Sequence, residues 1–372
     1  MHTVRPLVVT VAFVTLLLPA CAKQDAPAKG AERPEPVAAP VAEAAPAVDA
    51  YALDPAWLKS FAPLPASMTS TEHPAPAAQV TLGRLLYYDK RLSKNQDLSC
   101  NSCHGLDSFG VDGQATSLGH KGQRGGRNSP TVYNAAAHIA QFWDGRAVDV
   151  EAQAKGPVLN PVEMAMPDAA AVERLLKSIP GYVTAFAAAF PEAGDAAVSF
   201  DHMATAIAAF ERGLTTPSRW DRFLTGDAEA LTAAEKKGFV AFVQTGCVSC
   251  HSGALIGAAM YQKVGVVKPW PNLKDGGRFD VTGQEADRGV FKVPSLRNIE
   301  KTGPYFHDGS VSDLAEAVTL MARHQLGKEL DGDTTDAIVV WLKALTGTLP
   351  MAYIAAPTMP ENGPETAAPD PS

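Results

Sequence analysis

The sequence carries little positive charge and few of the residue runs that form strands. Its 32 lysines and arginines are outnumbered by 40 aspartates and glutamates, which gives a formal net charge of −8 at pH 7. A chain without a basic stripe cannot neutralise a nucleic-acid backbone, so DNA and RNA are not expected as partners. Runs of β-branched residues are scarce after residue 60 and alanine is abundant, so the composition favours helices.

Cysteine is also rare, and all but one of the five cysteines fall in two short runs of the form C-x-x-C-H. At this spacing two thiols can bond one haem through thioethers while the adjacent histidine ligates its iron. The alternative is a redox or zinc C-x-x-C pair, but a thioredoxin-like pair would need a βαβ context that is missing from this sequence. The sequence therefore predicts two covalently bound c-type haems. The first is attached by Cys100 and Cys103 with His104 as proximal ligand, and the second by Cys247 and Cys250 with His251.

Both ends of the chain are predicted to lie outside the folded body. Arg5 precedes an apolar run, and a small residue stands immediately before Cys21, so residues 1–20 resemble a lipoprotein-type signal peptide. We expect export to the periplasm, with Cys21 carrying a lipid anchor as the protein's sole membrane contact. Two alternatives stay open, an ordinary cleaved signal with Cys21 incidental and a single transmembrane anchor. Residues 21–50, rich in alanine and proline, are predicted to be a disordered tether, and residues 351–372 a disordered tail.

Between these ends the pattern predicts an all-α fold of two cytochrome-c-like domains, residues 51–225 and 226–350. Apolar residues at helical spacing precede each haem run, and the second of these helices begins with a capping box at Thr232. Further helical patterns lie at residues 169–177, 198–211, 312–322 and 338–345. Two glycine-rich stretches, residues 104–150 and 253–302, are expected to be long functional loops.

The ligand on the side of each iron opposite its proximal histidine determines the function of that haem. A methionine ligand favours electron transfer, whereas an open position allows catalysis. For the second haem Met321 is the best candidate because it lies late in the domain, although its apolar helix face equally fits core packing. Met260 is the rival, and His324 is interpreted as a surface residue. For the first haem, the loop holds His138 and also His120, which neighbouring glycines allow to swing. A loop histidine taken alone is more often solvated than ligated.

Four further runs occur in an order and spacing that match one known family. They are residues 116–120 (TSLGH), 127–131 (RNSPT), 142–146 (FWDGR) and 302–310 (TGPYFHDGS), accompanied by Gln153, Glu163 and Met321. In these runs, and from about residue 75 to 348, the chain resembles the bacterial di-haem cytochrome c peroxidases.

The resemblance implies different ligands at the two irons. His104 and His120 would ligate the iron of a low-potential peroxidatic haem, His120 only in the resting, oxidised enzyme. His251 and Met321 would ligate a high-potential haem through which electrons enter. The haems would lie near the domain interface.

The resemblance also implies roles for residues around the haems. Glu163 and Gln153 would lie over the peroxidatic iron once His120 has left, and a buried glutamate can move a proton between the peroxide oxygens. Trp143 would lie between the haems, where an aromatic bridge suits electron transfer.

A calcium site is implied as well, formed by Asn128 with the backbone carbonyls of Thr302 and Pro304. Such oxygen ligands suit Ca²⁺, which is a hard cation. Without the resemblance, a capped turn explains Asn128 equally well.

The implied activity is reduction of hydrogen peroxide to water with electrons from a small periplasmic cytochrome c or cupredoxin. Reduction of the second haem would release His120 and so activate the enzyme. One alternative is a di-haem electron carrier without peroxidase activity. Another is the related branch that modifies protein tryptophans, but that branch has tyrosine where this chain has Met321. Family members are commonly dimers, so a homodimer is a further expectation.

Overall fold

The computed structural model describes residues 53–372. The predictions for residues 1–50, which include the signal peptide, the tether and lipidation of Cys21, lie outside the described residues. Within residues 53–372, no helix is both long enough and apolar enough to cross a membrane.

Helices make up most of the regular structure, as the composition predicts. In chain order they are α1 Pro55–Leu58, α2 Ala77–Tyr88, α3 Cys100–Cys103, α4 Val150–Leu159, α5 Ala169–Lys177, α6 Pro180–Ala189, α7 Phe200–Glu211, α8 Arg219–Leu224, α9 Ala233–Thr245, α10 Phe279–Thr282, α11 Leu314–Leu326 and α12 Gly332–Lys343. Two short strands, β1 Tyr261–Lys263 and β2 Val290–Lys292, pair antiparallel with Tyr261 opposite Lys292. The mainly helical fold is therefore confirmed, and this strand pair is an addition to the expected all-α class.

The helix before each haem run packs closely on a later helix through a glycine. α2 crosses α7, and a β-carbon at Gly83 would collide with the backbone carbonyl of Ala206. α9 crosses α12, and a β-carbon at Gly238 would collide with the carbonyl of Ala337. A missing side chain lets two helix backbones approach closely, so each haem run is delivered from a tightly packed helix pair. The same kind of helix pair therefore accompanies both haem runs.

Buried apolar side chains form two main clusters, one beside each haem run. The first contains Leu82 and Phe210 and packs against the first haem run. The second contains Trp220 and Trp341, whose rings meet edge to face with centroids 5.5 Å apart. Two cores support the predicted division near residue 225, which stays a prediction because all described residues belong to one compact unit.

The start of the described chain packs on the second core, and its end packs on the first core. Phe61, near the start, meets Trp220 and Phe239 of the second core at centroid distances of 5.5 and 5.4 Å. Tyr353, near the end, stacks on Phe210 of the first core at 5.1 Å and donates a hydrogen bond to its carbonyl. These crossed ends tie the two halves together.

The C-terminal tail differs from the disorder expected for residues 351–372. Arg91 Nη1 donates to the carbonyl of Pro360 at 3.0 Å, and Lys94 Nζ donates to that of Ser372 at 2.9 Å. Prolines reduce the entropy that a chain loses on ordering, and bonds from charged donors are among the stronger ones. The composition of the tail shows that it lacks apolar residues. It does not show that Arg91 and Lys94 of the folded body donate hydrogen bonds to it.

Candidate active site

The first haem run forms a single helical turn, α3, followed at once by its histidine. Ser99 and Ser102 form a capping box that starts the turn. The Nδ1 atom of His104 lies 3.3 Å from the carbonyl oxygen of Gly110, and Tyr87 donates its hydroxyl hydrogen to the His104 carbonyl at 2.8 Å. Burial lowers the pKa of His104, so its ring is neutral. A carbonyl that holds Nδ1 leaves Nε2 as the nitrogen for iron.

The second haem run repeats this arrangement. Gly246 ends α9 with a φ of 102°, and the run turns directly after it. The Nδ1 atom of His251 lies 3.2 Å from the carbonyl oxygen of Ile256, and burial lowers the pKa of the ring to about 4. Both runs therefore offer two thiols within one turn and a neutral imidazole with an oriented ring, which is the donor set that a covalent c-type haem requires.

A cavity lies beside the second haem run. It is lined by Cys247, Cys250 and His251, and also by Met321 of α11 and by Trp143. Much of the remaining wall is apolar and includes Phe242, Phe291, Leu314, Val318, Ile338 and Leu342. The predicted second-haem residues are thus brought together around a space whose walls suit a macrocycle.

Among the candidates for the second distal ligand, the structure favours Met321. Met260, the rival, is 38% exposed and does not line the cavity. The interpretation of His324 as a surface residue is wrong, because its ring is buried, with Nδ1 3.0 Å from the Lys268 carbonyl and Trp270 packed against it. The loop that covers this side of α11 comes from distant sequence, so helical periodicity could not show it.

His120 lies in a tight turn that packs against the turn carrying Glu163. The backbone N–H of His120 donates to the carbonyl of Glu163 at 2.8 Å. A β-carbon at Gly119 would collide with the carbonyl of Val162, and Lys121 has a φ of 56°. The His120 residue is buried rather than solvated, at 6% exposure. The structure therefore brings together the two residues predicted to exchange places at the peroxidatic site.

Glu163 is a titratable group that lies beside the first haem run. Asn160 Nδ2 donates to its Oε1 at 2.9 Å, which fixes the carboxyl group. Burial raises the pKa of Glu163, while Arg146 and the Asn160 bond oppose that rise. The charge of Glu163 contributes to the raised pKa of Cys103, so the carboxylate lies near the first haem run. A carboxyl group with a raised pKa can both accept and donate a proton near neutral pH.

Two other predicted residues lie on either side of this site. Gln153 is half-buried on α4, the helix that leads into the turn of Glu163. Trp143 Nε1 donates to the carbonyl of Asn128 at 2.9 Å, and the Trp143 carbonyl accepts from the backbone N–H of Lys292 at 2.8 Å. Trp143 is thus held between the first irregular loop and β2, next to the second-haem cavity.

The residues of the predicted calcium site belong to the wall of the same cavity. Asn128, Thr302 and Pro304 all contribute to it. The Asn128 backbone N–H donates to the carbonyl of His307 at 2.8 Å, and its side-chain Nδ2 donates to that of Gln114 at 3.0 Å. No group of three or more His, Cys, Asp or Glu residues suited to a metal ion occurs within residues 53–372. A cation here would therefore depend on amide and backbone oxygens, which Ca²⁺ accepts.

The sequence analysis missed two pairings that surround Trp143. Arg127 binds Asp275 at 2.7 Å and Asp144 at 2.5 Å, and so connects the loop of the first half to the second half. His138 meets Lys292 at 3.1 Å. Arg127 and Asp144 both lie in family-matching runs, which is the signal that could have identified them. The pairing of His138 with Lys292 spans 154 positions and leaves no local signal.

Comparisons with known proteins agree with these features. The model of the family "Di-haem cytochrome c peroxidase" matches residues 77–229. The chain is 49% identical over 279 residues to cytochrome c551 peroxidase of Nitrosomonas europaea, covering 74% of this chain and 82% of that protein. It is 45% identical over 333 residues to cytochrome c551 peroxidase of Pseudomonas aeruginosa, covering 87% and 95%. A solved MauG-like protein associated with microbial copper homeostasis superposes with a TM-score of 0.67 at 30% identity, covering 79% of this chain and 95% of that one.

Proposed function

The chain belongs to the di-haem cytochrome c peroxidase family and is an oxidoreductase acting on peroxide, and on this basis we propose that it reduces H₂O₂, with two electrons and two protons, to two molecules of water. The observation that carries the proposal is an asymmetry between the two haem runs. One has the buried His120 and the half-buried Glu163 beside it, and the other opens on a cavity lined by Met321. A catalytic centre needs the first arrangement and an electron-entry centre the second.

In this proposal the four cysteines of the two runs hold the haems, and His104 and His251 ligate the irons. When bound, the haems store the electrons and supply the iron at which peroxide reacts. The oriented, neutral rings of both histidines support this assignment.

His120 acts as the gate of the first site. In the haem-loaded resting protein it would ligate the first iron, and it would leave once the second haem has been reduced. Its turn is suited to such a change, because Lys121 already has a positive φ, which costs little to leave. The bond between the His120 N–H and the Glu163 carbonyl couples the movement of the histidine to the turn that carries the glutamate.

Glu163 then acts on the substrate. In the haem-loaded protein its carboxyl group would take the proton from one oxygen of hydrogen peroxide and deliver it to the other, which leaves as water when the O–O bond breaks. Two electrons from the donor and two further protons would convert the remaining oxygen to the second water molecule. A pKa raised by burial suits this exchange, because a carboxyl group with an ordinary pKa would release the proton too readily at neutral pH. Gln153 binds the peroxide oxygens through hydrogen bonds only. Unlike the carboxyl group of Glu163, its amide cannot take up or release the proton.

Met321 sets the potential of the electron-entry site. A Met321→Leu variant is expected to lower the midpoint potential of the second haem by at least about 59 mV, a tenfold change in a one-electron equilibrium, because a thioether ligand favours the reduced iron. Spectroelectrochemical titration of both haems measures the effect. Met260→Leu is the matched control, because that exposed methionine lies outside the cavity. An unchanged potential in Met321→Leu would rule out Met321 as a ligand.

We further propose that a small cytochrome c or cupredoxin donates the electrons in the periplasm. The signal-like start of the chain supports export, and Cys21 is the proposed site of lipidation. A Ca²⁺ ion bound by Asn128 and the carbonyls of Thr302 and Pro304 would stabilise the region between the haems, and a homodimer is the proposed assembly.

The direct test of the function is a donor assay with the haem-loaded protein. Reduced small cytochrome c is mixed with the protein and hydrogen peroxide, and oxidation of the donor is followed by its absorbance. We expect two donor molecules to be oxidised per peroxide consumed. If the donor reduces the protein but peroxide is not consumed, the chain is an electron carrier instead.

A further inference from the structure

A buried cation and a buried imidazole lie together in the wall of the second-haem cavity. Lys292 ends β2 and is 7% exposed, and His138 comes from the irregular loop after the first haem run. Their side chains meet with Lys292 Nζ 3.1 Å from His138 Nδ1. Both residues line the cavity that also contains His251 and Trp143.

The direction of this hydrogen bond follows from the chemistry of the two groups. Burial lowers the pKa of Lys292 to about 8, so at neutral pH it is mainly an ammonium ion that can donate but not accept. Burial and the neighbouring ammonium both lower the pKa of His138, so its ring is neutral. The Nδ1 atom must therefore accept, and the single ring hydrogen lies on Nε2.

Both groups are left with donors that the polypeptide does not use. His138 Nε2 is shielded from solvent and has no hydrogen-bond partner. For Lys292, no carboxylate within residues 53–372 contributes to its pKa, whose shift has burial as its cause. A buried ammonium without a counter-charge is costly, and so is a buried N–H without an acceptor. A carboxylate in the cavity would supply the counter-charge that Lys292 lacks.

We propose that Lys292 and His138 form a propionate-binding pair for the second haem, in which Lys292 Nζ binds the propionate and His138 Nδ1 accepts one Nζ hydrogen and so orients the ammonium group. The inference rests on the proposed second haem, which is the carboxylate-bearing group expected in this cavity. The Lys292 backbone N–H also binds the Trp143 carbonyl, so the same residue links the propionate to the aromatic ring beside the cavity. Lys292 and His138 are positioning residues that also set the local charge.

The pair should raise the potential of the second haem. A propionate left without its ammonium partner places an uncompensated negative charge near the iron, which stabilises the more positive oxidised state. A Lys292→Met variant of the haem-loaded protein is therefore expected to shift the one-electron equilibrium of the second haem at least tenfold toward oxidation, which corresponds to about 59 mV. The first haem is expected to keep its potential within a twofold change in the same equilibrium.

The controls use the same strand pair and the same loop. Lys263→Met removes a lysine from the exposed end of the neighbouring strand and should leave both potentials unchanged. Lys292→Arg keeps the positive charge and should retain most of the potential. His138→Leu removes the acceptor that orients Nζ, and should lower the potential in the same direction as Lys292→Met. His138→Leu therefore answers the question even if Lys292→Met does not accumulate.

The titration needs no peroxide, so its outcome is separate from the test of peroxidase activity. A potential that is unchanged in Lys292→Met, or in His138→Leu where Lys292→Met does not accumulate, overturns the propionate-binding pair. If that occurs while peroxide is still turned over, this inference alone is lost. If the potential of the second haem shifts as expected but the protein does not consume peroxide, the propionate-binding pair is supported and the proposed peroxidase function is wrong.

Discussion

A His120→Gly variant is expected to react with peroxide in its fully oxidised form, without prior reduction of the second haem. His120 is buried against the turn of Glu163, and in our account it closes the first site in the resting protein. Removing the imidazole removes the closed state. The oxidised variant should then turn over peroxide on the order of 100-fold faster than the oxidised wild type, the factor by which a closed conformation favoured by about 2.8 kcal/mol suppresses an open one.

The control separates loss of the imidazole from loosening of the turn. Lys121 has a φ of 56°, so Lys121→Gly relaxes the same backbone while keeping His120. That variant should still need reduction before it accepts peroxide. Rapid mixing of each oxidised variant with peroxide, followed by the haem spectra, makes the comparison. If His120→Gly still requires reduction, or if the oxidised wild type is already as fast as the half-reduced protein, then His120 is not a gate.

Replacing Glu163 by glutamine is expected to have the second large effect. Glutamine has nearly the same shape and can still accept the hydrogen bond from Asn160, but it cannot carry a proton. Loss of general acid–base catalysis typically costs about 10²- to 10⁴-fold in rate, so kcat/KM for peroxide should fall by that factor. Glu192→Gln, at an exposed position, is the matched control and should keep the wild-type rate.

The pH profile gives an independent measure of Glu163. Burial raises the pKa of this carboxyl group, and the group must be ionised to take the first proton from peroxide. The wild-type rate should therefore fall on the acid side, through a pKa above the usual carboxyl range. The residual rate of Glu163→Gln should lack that acid limb. A variant that keeps both the rate and the limb would show that another group moves the proton.

Local sequence patterns predicted the parts of the fold that depend on neighbouring residues. The capping box at Thr232 starts α9 as expected, and the pattern over residues 169–177 matches α5. Two thiols and a histidine within five positions form one turn in each haem run, because that chemistry is local. α6 lies outside the predicted helical patterns, although Pro180 starts it at a position where proline costs the helix no hydrogen bond.

The features that the sequence could not reveal are those that join distant segments. Phe61 packs in the second core and Tyr353 on the first, and neither contact has a periodic signature. His324 follows the same rule, because a loop from distant sequence covers the face that periodicity leaves to solvent. The approach of His138 to Lys292 likewise depends on how an irregular loop meets β2. The spacing of residues predicts where a helix or a turn forms. It does not predict which side chains a loop from distant sequence will bury.

The most direct test of the account is a redox titration of the haem-loaded protein, with the spectra of both haems followed and an external ligand such as cyanide present. We predict two well-separated potentials, the higher one belonging to a methionine-ligated haem. We also predict that the lower-potential haem binds the external ligand only after the higher-potential haem has been reduced. Two haems with equal potentials, neither of which binds an added ligand in any redox state, would contradict the proposed peroxidase mechanism.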